Sequence, residues 1–242
     1  MGVVNNNKIL QQCSSESVLS AALTGVSLGL NVNPSLGQAY IVPYRNKKKV
    51  TGEDGKEREV WVWEAQFQIG FKGFLQLALR TREYTRLNVT EIREGEYKGE
   101  NIITGDYEFD PVKDKTEREK LPVIGYVAYL RLTSGFEKML YMTKEEVDKH
   151  AKRYSQAYKS GYGLWKTDFD MMAMKTVLKL LISKYGPTSS KKLQTAFLAD
   201  QAVVEEDSFS YIDNGNKSST KVESAPEGEV VKNETTSTNE TE

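Results

Sequence analysis

The chain has 242 residues, 38% of them hydrophobic, enough for one core of ordinary size with room for at most a small second domain. One cysteine excludes an internal disulfide and one histidine excludes a His/Cys zinc cluster. The balance of 33 basic and 34 acidic residues hides a segregation. Residues 200–242 hold eleven acids and three lysines, a net of −8, which leaves 30 basic and 23 acidic groups, or +7, in residues 1–199. A cationic body with an anionic tail points to an anionic partner for the body. No apolar run reaches the ~20 residues of a membrane span, and no signal segment opens the chain, so a cytoplasmic protein is expected.

The polar, Asn-rich start to Gln12 reads as frayed, or docked on something else. Ser14 or Ser15 caps a helix whose Val18, Leu19, Ala22, Leu23 and Val26 recur at helical spacing. Gln38 to Tyr44 reads as a strand, and the alternation of Glu59 to Gln68 makes its antiparallel partner. Between them lie Arg45, Lys47, Lys48 and Lys49 and a turn at 52–55, giving a hairpin with a basic shoulder. Ile69 to Arg82 then switches to helical period. Gly70 and Gly73 at its start need a local reason: close approach of a phosphate beside Lys72, or tight packing against the sheet. Tyr84 to Glu94, Val123 to Thr133 and Phe136 to Met142 are further strands, with a charged, irregular excursion from Asp106 to Lys120.

Residues 139–192 concentrate charge, with eleven Lys/Arg against five acids, interleaved with aromatic rings. Thr143 and Glu146 form a capping box, so a helix starts there. Val147, Ala151, Tyr154 and Tyr158 fall on its apolar stripe, with Lys149, Lys152, Arg153, Gln156 and Lys159 opposite. After the glycines at 161 and 163, Thr167 to Asp170 caps a second helix running to Tyr185 and ended by Gly186 and Pro187. Its body is apolar nearly all round, and Lys175 and Lys179 read as one exposed cationic ridge. Trp165, in the loop between the helices, reads either as a base-stacking ring or as a core anchor.

Cations that neutralise phosphates and rings that meet unstacked bases are what a single-strand-binding surface requires; a solvated helix face over a core has the same composition. No P-loop and no Ser/His/Asp or Cys/His set is present. The catalytic reading is a metal-dependent nuclease using Asp168, Asp170 and an acid from 106–114, against which both aspartates fit as helix-start acids.

Three stretches resemble the RecT family of phage single-strand annealing proteins: residues 17–34 (SVLSAALTGVSLGLNVNP) with 37–44 (GQAYIVPY), residues 66–74 (QFQIGFKGF), and residues 165–170 (WKTDFD) with 173–179 (AMKTVLK). Together they span most of 17–186. The resemblance implies an ATP-independent, non-enzymatic recombination protein that coats single-stranded DNA, anneals it to a complementary strand and holds the annealed duplex. It implies homo-oligomers, as rings or helical filaments, and a phage 5′→3′ exonuclease partner, with a host single-strand-binding protein as a further one. The expectation for cofactors is none for binding, with Mg²⁺ as a modulator of annealing. The expected fold is α+β, an antiparallel hairpin and sheet core packed with helices in the order β-β-α-β-β-β-α-α, related to Redβ and the eukaryotic annealing proteins. The expected organisation is a flexible or truncated segment 1–13, a DNA-binding, annealing and oligomerisation domain 14–199, and a disordered acidic tail 200–242 that binds partners. The residues expected on DNA are Arg45, Lys47, Phe71, Lys72, Lys149, Lys152, Arg153, Gln156, Lys159, Trp165, Lys166, Lys175 and Lys179.

Overall fold

A computed structural model describes residues 2–5, 7–51, 57–159, 164–187, 190–200, 202–205, 208–211 and 220–221. The start is docked on the chain's own core. Leu10 is buried, and the Asn7 side chain accepts hydrogen bonds from the amides of Ile9 and Leu10. Cys13 is buried beside it, and burial, then the charge of Glu64, pushes its thiol pKa up. Helix α1 (Ser15–Ser27) is capped by Ser14, which accepts from the Ser17 amide. The Ser17 hydroxyl in turn accepts from the Ala65 amide at 2.9 Å, tying the helix to the following hairpin. Ala21 and Gly25 form the buried seam, while Leu19, Leu23 and Val26 face solvent, contrary to the stripe expected from spacing. The reason is local: a Cβ on Gly25 would lie 2.8 Å from Val32 and 3.3 Å from Phe67, so the helix is turned to bring its smallest residues against the hairpin.

Strands β1 (Ala39–Thr51) and β2 (Glu57–Ile69) pair in one unbroken antiparallel register from Ala39 opposite Ile69 to Thr51 opposite Glu57. Burial runs along this hairpin. Ala39, Ile41, Phe67 and Ile69 at its root are in the core, and residues 57–61 are exposed. The hairpin is therefore an arm standing out from the body. The turn expected at 52–55 lies outside the described residues.

Helix α2 (Phe71–Arg80) follows at once and buries Phe74, Leu77 and Ala78, with Phe74 stacked on Phe197 at 5.4 Å. Packing accounts for its two glycines: a Cβ on Gly70 would lie 2.2 Å from the Gly37 carbonyl oxygen, and one on Gly73 2.1 Å from that of Gln38. Gly73→Ala is expected to lower stability by about 1–3 kcal/mol or more through overpacking, seen as a lower urea midpoint with unchanged slope.

Strand β3 (Tyr84–Arg93) pairs with β6 (Val123–Leu132), and β6 with β7 (Glu137–Thr143), in the order β3-β6-β7. The stretch between β3 and β6 is ordered, which corrects the expectation of irregular chain over 106–120. It forms a second hairpin, β4 (Tyr97–Asn101) with β5 (Asp106–Phe109), and a short helix α3 (Lys115–Lys120) capped by Asp114. Helix α4 (Lys144–Tyr154) has both halves of its capping box, Thr143 to the Glu146 amide and Glu146 back to Thr143. Helix α5 (Phe169–Tyr185) lies across the three-stranded sheet, burying Val177, Leu178, Leu181 and Ile182. A further helix, α6 (Lys191–Ala199), which the sequence reading did not separate, is capped by Ser190 and buries Leu193 and Ala196.

Asp200 belongs to this body, not to a disordered tail. It is 3% exposed at the end of α6. Beyond it the described residues form short antiparallel strands, β8 (Ala202–Glu205), β9 (Ser208–Tyr211) and β10 (Thr220–Lys221), in the order β10-β9-β8. Val203, Val204, Phe209 and Tyr211 supply the β-branched and aromatic residues that favour strands there. The architecture is α+β with antiparallel sheets, and no described helix is long and apolar enough to cross a membrane.

Candidate nucleic-acid interface

Two cationic surfaces emerge from this fold. The first is one face of the β1–β2 arm. Side chains directly opposite in an antiparallel pair share a face, so the register puts Arg45 with Trp63 and Lys47 with Trp61 on the same side. Trp61 is 55% exposed, with the Arg45 guanidinium 5.4 Å and the Lys47 ammonium 5.3 Å from its ring centroid. Lys47 and Lys49 form only exposed pairs, with Glu59 at 3.2 Å and Glu57 at 3.3 Å. Pairs of that kind contribute little and exchange readily for a phosphate. Trp61 was missed in the sequence reading. The signal was present in the EVWVWEAQFQ alternation, which puts both tryptophans on one face once the partner strand carries Arg45 and Lys47.

The second surface is the outer side of α4. Val147 and Ala151 are buried beneath it, and Lys149, Lys152 and Arg153 are exposed. Lys152 is 2.6 Å from Asp148, which also accepts the Tyr158 hydroxyl, so part of its charge is answered locally. Arg153 lies over Tyr154 at 5.2 Å. Lys159 and Lys166 are exposed in the helical turns that follow, Gln156–Lys159 and Leu164–Thr167. Gln156 lies in the first of these turns, its side chain outside the described residues. Lys72 is exposed on α2, its stem passing Gly37, whereas Phe71 is half-buried and packed on the core.

Three expectations are corrected. Trp165 is 7% exposed, meeting Tyr158 and Phe169 edge-on at 5.5 Å each, which makes it a core anchor and not an exposed stacking ring. Lys175 is 6% exposed, with its ammonium 3.3 Å from Asp200, and Lys179 reaches the other Asp200 oxygen at 2.8 Å. The i, i+4 spacing did place both lysines on one face of α5, but that face turns inward toward α6. Asp200, 25 and 21 residues further on, answers both charges and accepts the Ile69 amide at 2.8 Å. The lysines line an open cavity of about 560 Å³ between α4, α5 and α6, with His150, Tyr154, Phe197 and Asp200. Burial, then the charges of Lys179 and Arg153, lowers the His150 pKa and favours its neutral form.

The two aspartates of the nuclease reading are engaged structurally. Asp168 caps α5 by accepting the Met171 amide at 3.3 Å. Asp170 accepts the hydroxyl of fully buried Tyr126, whose pKa burial and that bond push far upward. Among the described residues no group of three or more His, Cys, Asp or Glu is placed to hold a metal ion.

The described residues thus define an α+β protein with a projecting two-stranded arm and two cationic surfaces bearing aromatic rings. The chain belongs to the RecT family, whose model matches residues 1–236, as the three sequence stretches led us to expect. It is 41% identical over 207 residues to the uncharacterized protein YqaK of Bacillus subtilis (strain 168), a match covering 86% of this chain and 62% of that one. It is 28% identical over 198 residues to Protein RecT of Escherichia coli (strain K12), covering 79% and 65%. The chain therefore spans less than two thirds of the length of either relative.

Proposed function

We propose that this chain is an ATP-independent single-strand annealing protein of homologous recombination. It coats single-stranded DNA as a ring or filament, pairs it with a complementary strand, and makes and breaks no covalent bond. The observation that carries this reading is the exposed Trp61 ring with Arg45 and Lys47 close to it on a projecting arm, in a chain of the RecT family. A base stacks on such a ring whatever its identity, while neighbouring cations take the phosphates. Lys72, Lys149, Lys152, Arg153, Lys159 and Lys166 extend the backbone contacts, with Gln156 as a neutral donor. Complementarity is tested by the bases themselves, so no base-reading side chains are needed. Each subunit makes few contacts, and many subunits on one strand supply the affinity.

The same reading takes in a nearby-encoded 5′→3′ exonuclease and a host single-strand-binding protein as partners of the acidic segment after residue 200. It includes Mg²⁺ as a modulator, and kinship of the hairpin-and-helix core with Redβ.

The test mixes two complementary oligonucleotides with the protein, without ATP, with and without Mg²⁺. Accelerated pairing with intact strands supports the reading. Coating without acceleration would leave a passive binder, and strands shortened only with Mg²⁺ would revive the nuclease. Four phosphates neutralised per binding unit imply roughly 50-fold weaker binding at 200 mM than at 50 mM salt. Lys149→Ala with Arg153→Ala should flatten the log–log salt slope by about 1.4, measured by fluorescence anisotropy of a labelled strand.

A further inference from the structure

Three stretches far apart in the sequence meet at one small pocket. Tyr40 of β1 and Gln68 of β2 stand directly opposite each other at the root of the arm and share a face. With Phe71 of α2 and with Leu164, Asp168 and Met171, they line an open pocket of about 90 Å³. Gly70 permits the close approach, since a Cβ there would lie 2.8 Å from the Tyr40 ring. The walls are apolar or aromatic: Leu164 and Met171 are exposed, Tyr40 and Phe71 half-buried.

The polar groups of the pocket select its occupant. Gln68 is 6% exposed, yet its side-chain amide has no hydrogen-bond partner among the described residues. Buried polar groups are ordinarily satisfied, so an unmet amide on a pocket wall calls for a ligand with its own donors and acceptors. Asp168, itself exposed, accepts the Met171 amide with Oδ1, and its Oδ2 has no partner among the described residues. An apolar side chain of another protein would seal the Gln68 amide in without a partner, at the full cost of its desolvation. A phosphate would meet the charge of Asp168. A nucleobase escapes both penalties. Its faces lie against the apolar walls, and its edge carries donors and acceptors. Asp168 can accept the thymine N3–H or the cytosine amino group, and the amide, donor and acceptor in one, can meet either base. An enclosed cavity of about 150 Å³ holds one benzene ring, so this open pocket admits a single ring in part and not the fused pair of a purine. Lys72 stands beside it. A Cβ on Gly37 would lie 3.4 Å from Lys72 Cδ and 3.6 Å from the Tyr40 hydroxyl, so the lysine stem runs next to the tyrosine. The exposed Lys72 ammonium has no acidic partner among the described residues.

We propose that this pocket takes one pyrimidine base of the bound strand, its edge toward Gln68 and Asp168, with Lys72 on the adjoining phosphate. The base so held is withdrawn from pairing, and the bases between one subunit's pocket and the next stay open to a second strand. The inference rests on the annealing reading above and names a base-binding site within it.

The test uses the full chain with dT and dA oligonucleotides of equal length, followed by fluorescence anisotropy, permanganate oxidation of the bound thymines, a thermal melt and the annealing assay. A fraction of the thymines coated by wild type should resist permanganate. Gln68→Leu should release that fraction and lower the dT-to-dA affinity ratio roughly 2-fold to 10-fold. Its melting temperature should not fall, since the amide removed has no partner. Lys72→Ala should weaken both oligonucleotides alike and leave the ratio unchanged. An unchanged ratio in Gln68→Leu, or the same thymines protected without the amide, would overturn the base pocket. A smaller assembly from Gln68→Leu at an unchanged ratio would give the pocket to a side chain of a second copy instead. A wild type that anneals strands while Gln68→Leu matches it in every readout sinks the pocket and spares the annealing reading. A wild type that neither coats nor pairs strands sinks that reading, and the base pocket falls with it.

Discussion

Asp200→Ala is expected to destabilise the fold by about 3–5 kcal/mol, the range for removing one partner of a buried ion pair. Two ammonium groups lose the Asp200 carboxylate, that of Lys175 buried and that of Lys179 partly so, and the Ile69 amide loses its acceptor. An ordinary domain has about 5–15 kcal/mol in all, so the variant should unfold at a much lower urea concentration. Replacing all three groups together, with Asp200→Leu, Lys175→Met and Lys179→Met, should recover most of the loss, because it strands no charge. Acid provides a second reading of the same cluster. Desolvation by itself would raise the Asp200 pKa, but Lys175, Lys179 and the Ile69 amide outweigh it and hold it below the ordinary carboxylate value. A depressed folded-state pKa contributes stability above the unfolded value of about 3.9 and loses it as pH falls toward the folded value. Denaturation midpoints measured from pH 6 downward should therefore fall less steeply in the triple variant than in the wild type.

For Trp61→Ala the expectation is reversed: folding unchanged, strand binding weakened. The ring is more than half exposed, so little packing is lost. If it stacks on bases as proposed, each subunit loses about 1–3 kcal/mol of binding, a fall of roughly 5-fold to 150-fold in the affinity for an oligonucleotide long enough for one subunit. Trp61→Phe should retain part of it. Trp165→Phe should do the opposite, lowering the melting temperature while leaving the affinity of folded protein unchanged, since Trp165 is enclosed by Tyr158 and Phe169. Equal effects of Trp61→Ala and Trp165→Phe on affinity would remove the arm from its proposed role.

What was legible in the sequence was what short-range physics decides. The Thr143–Glu146 box, the Ser14 cap, the strand at Glu59 to Gln68 and the stop at Gly186 each depend on a few adjacent residues, and each stands in the structure. What was hidden depends on the partner across the fold. The direction of α1 follows from Gly25 meeting Val32 and Phe67, which no spacing of leucines reveals. The hairpin β4–β5 reads as charged and irregular because its apolar support, Tyr141, lies more than 30 residues away on another strand. Lys175 and Lys179 read as a cationic ridge because Asp200 sits in a stretch whose composition announces a tail. On the candidate interface the proposed cations are read by counting, while Trp61 becomes visible only with the strand register.

Cys13 gives the chain an experimental opening. It is the single thiol, buried beside Leu10 with a raised pKa, and so a poor nucleophile toward maleimides at neutral pH. A cysteine introduced at an exposed position would then be the only reactive one without any background substitution. With donor and acceptor dyes at Thr51 on the arm of separately labelled copies, energy transfer between them would report their approach as strands are added.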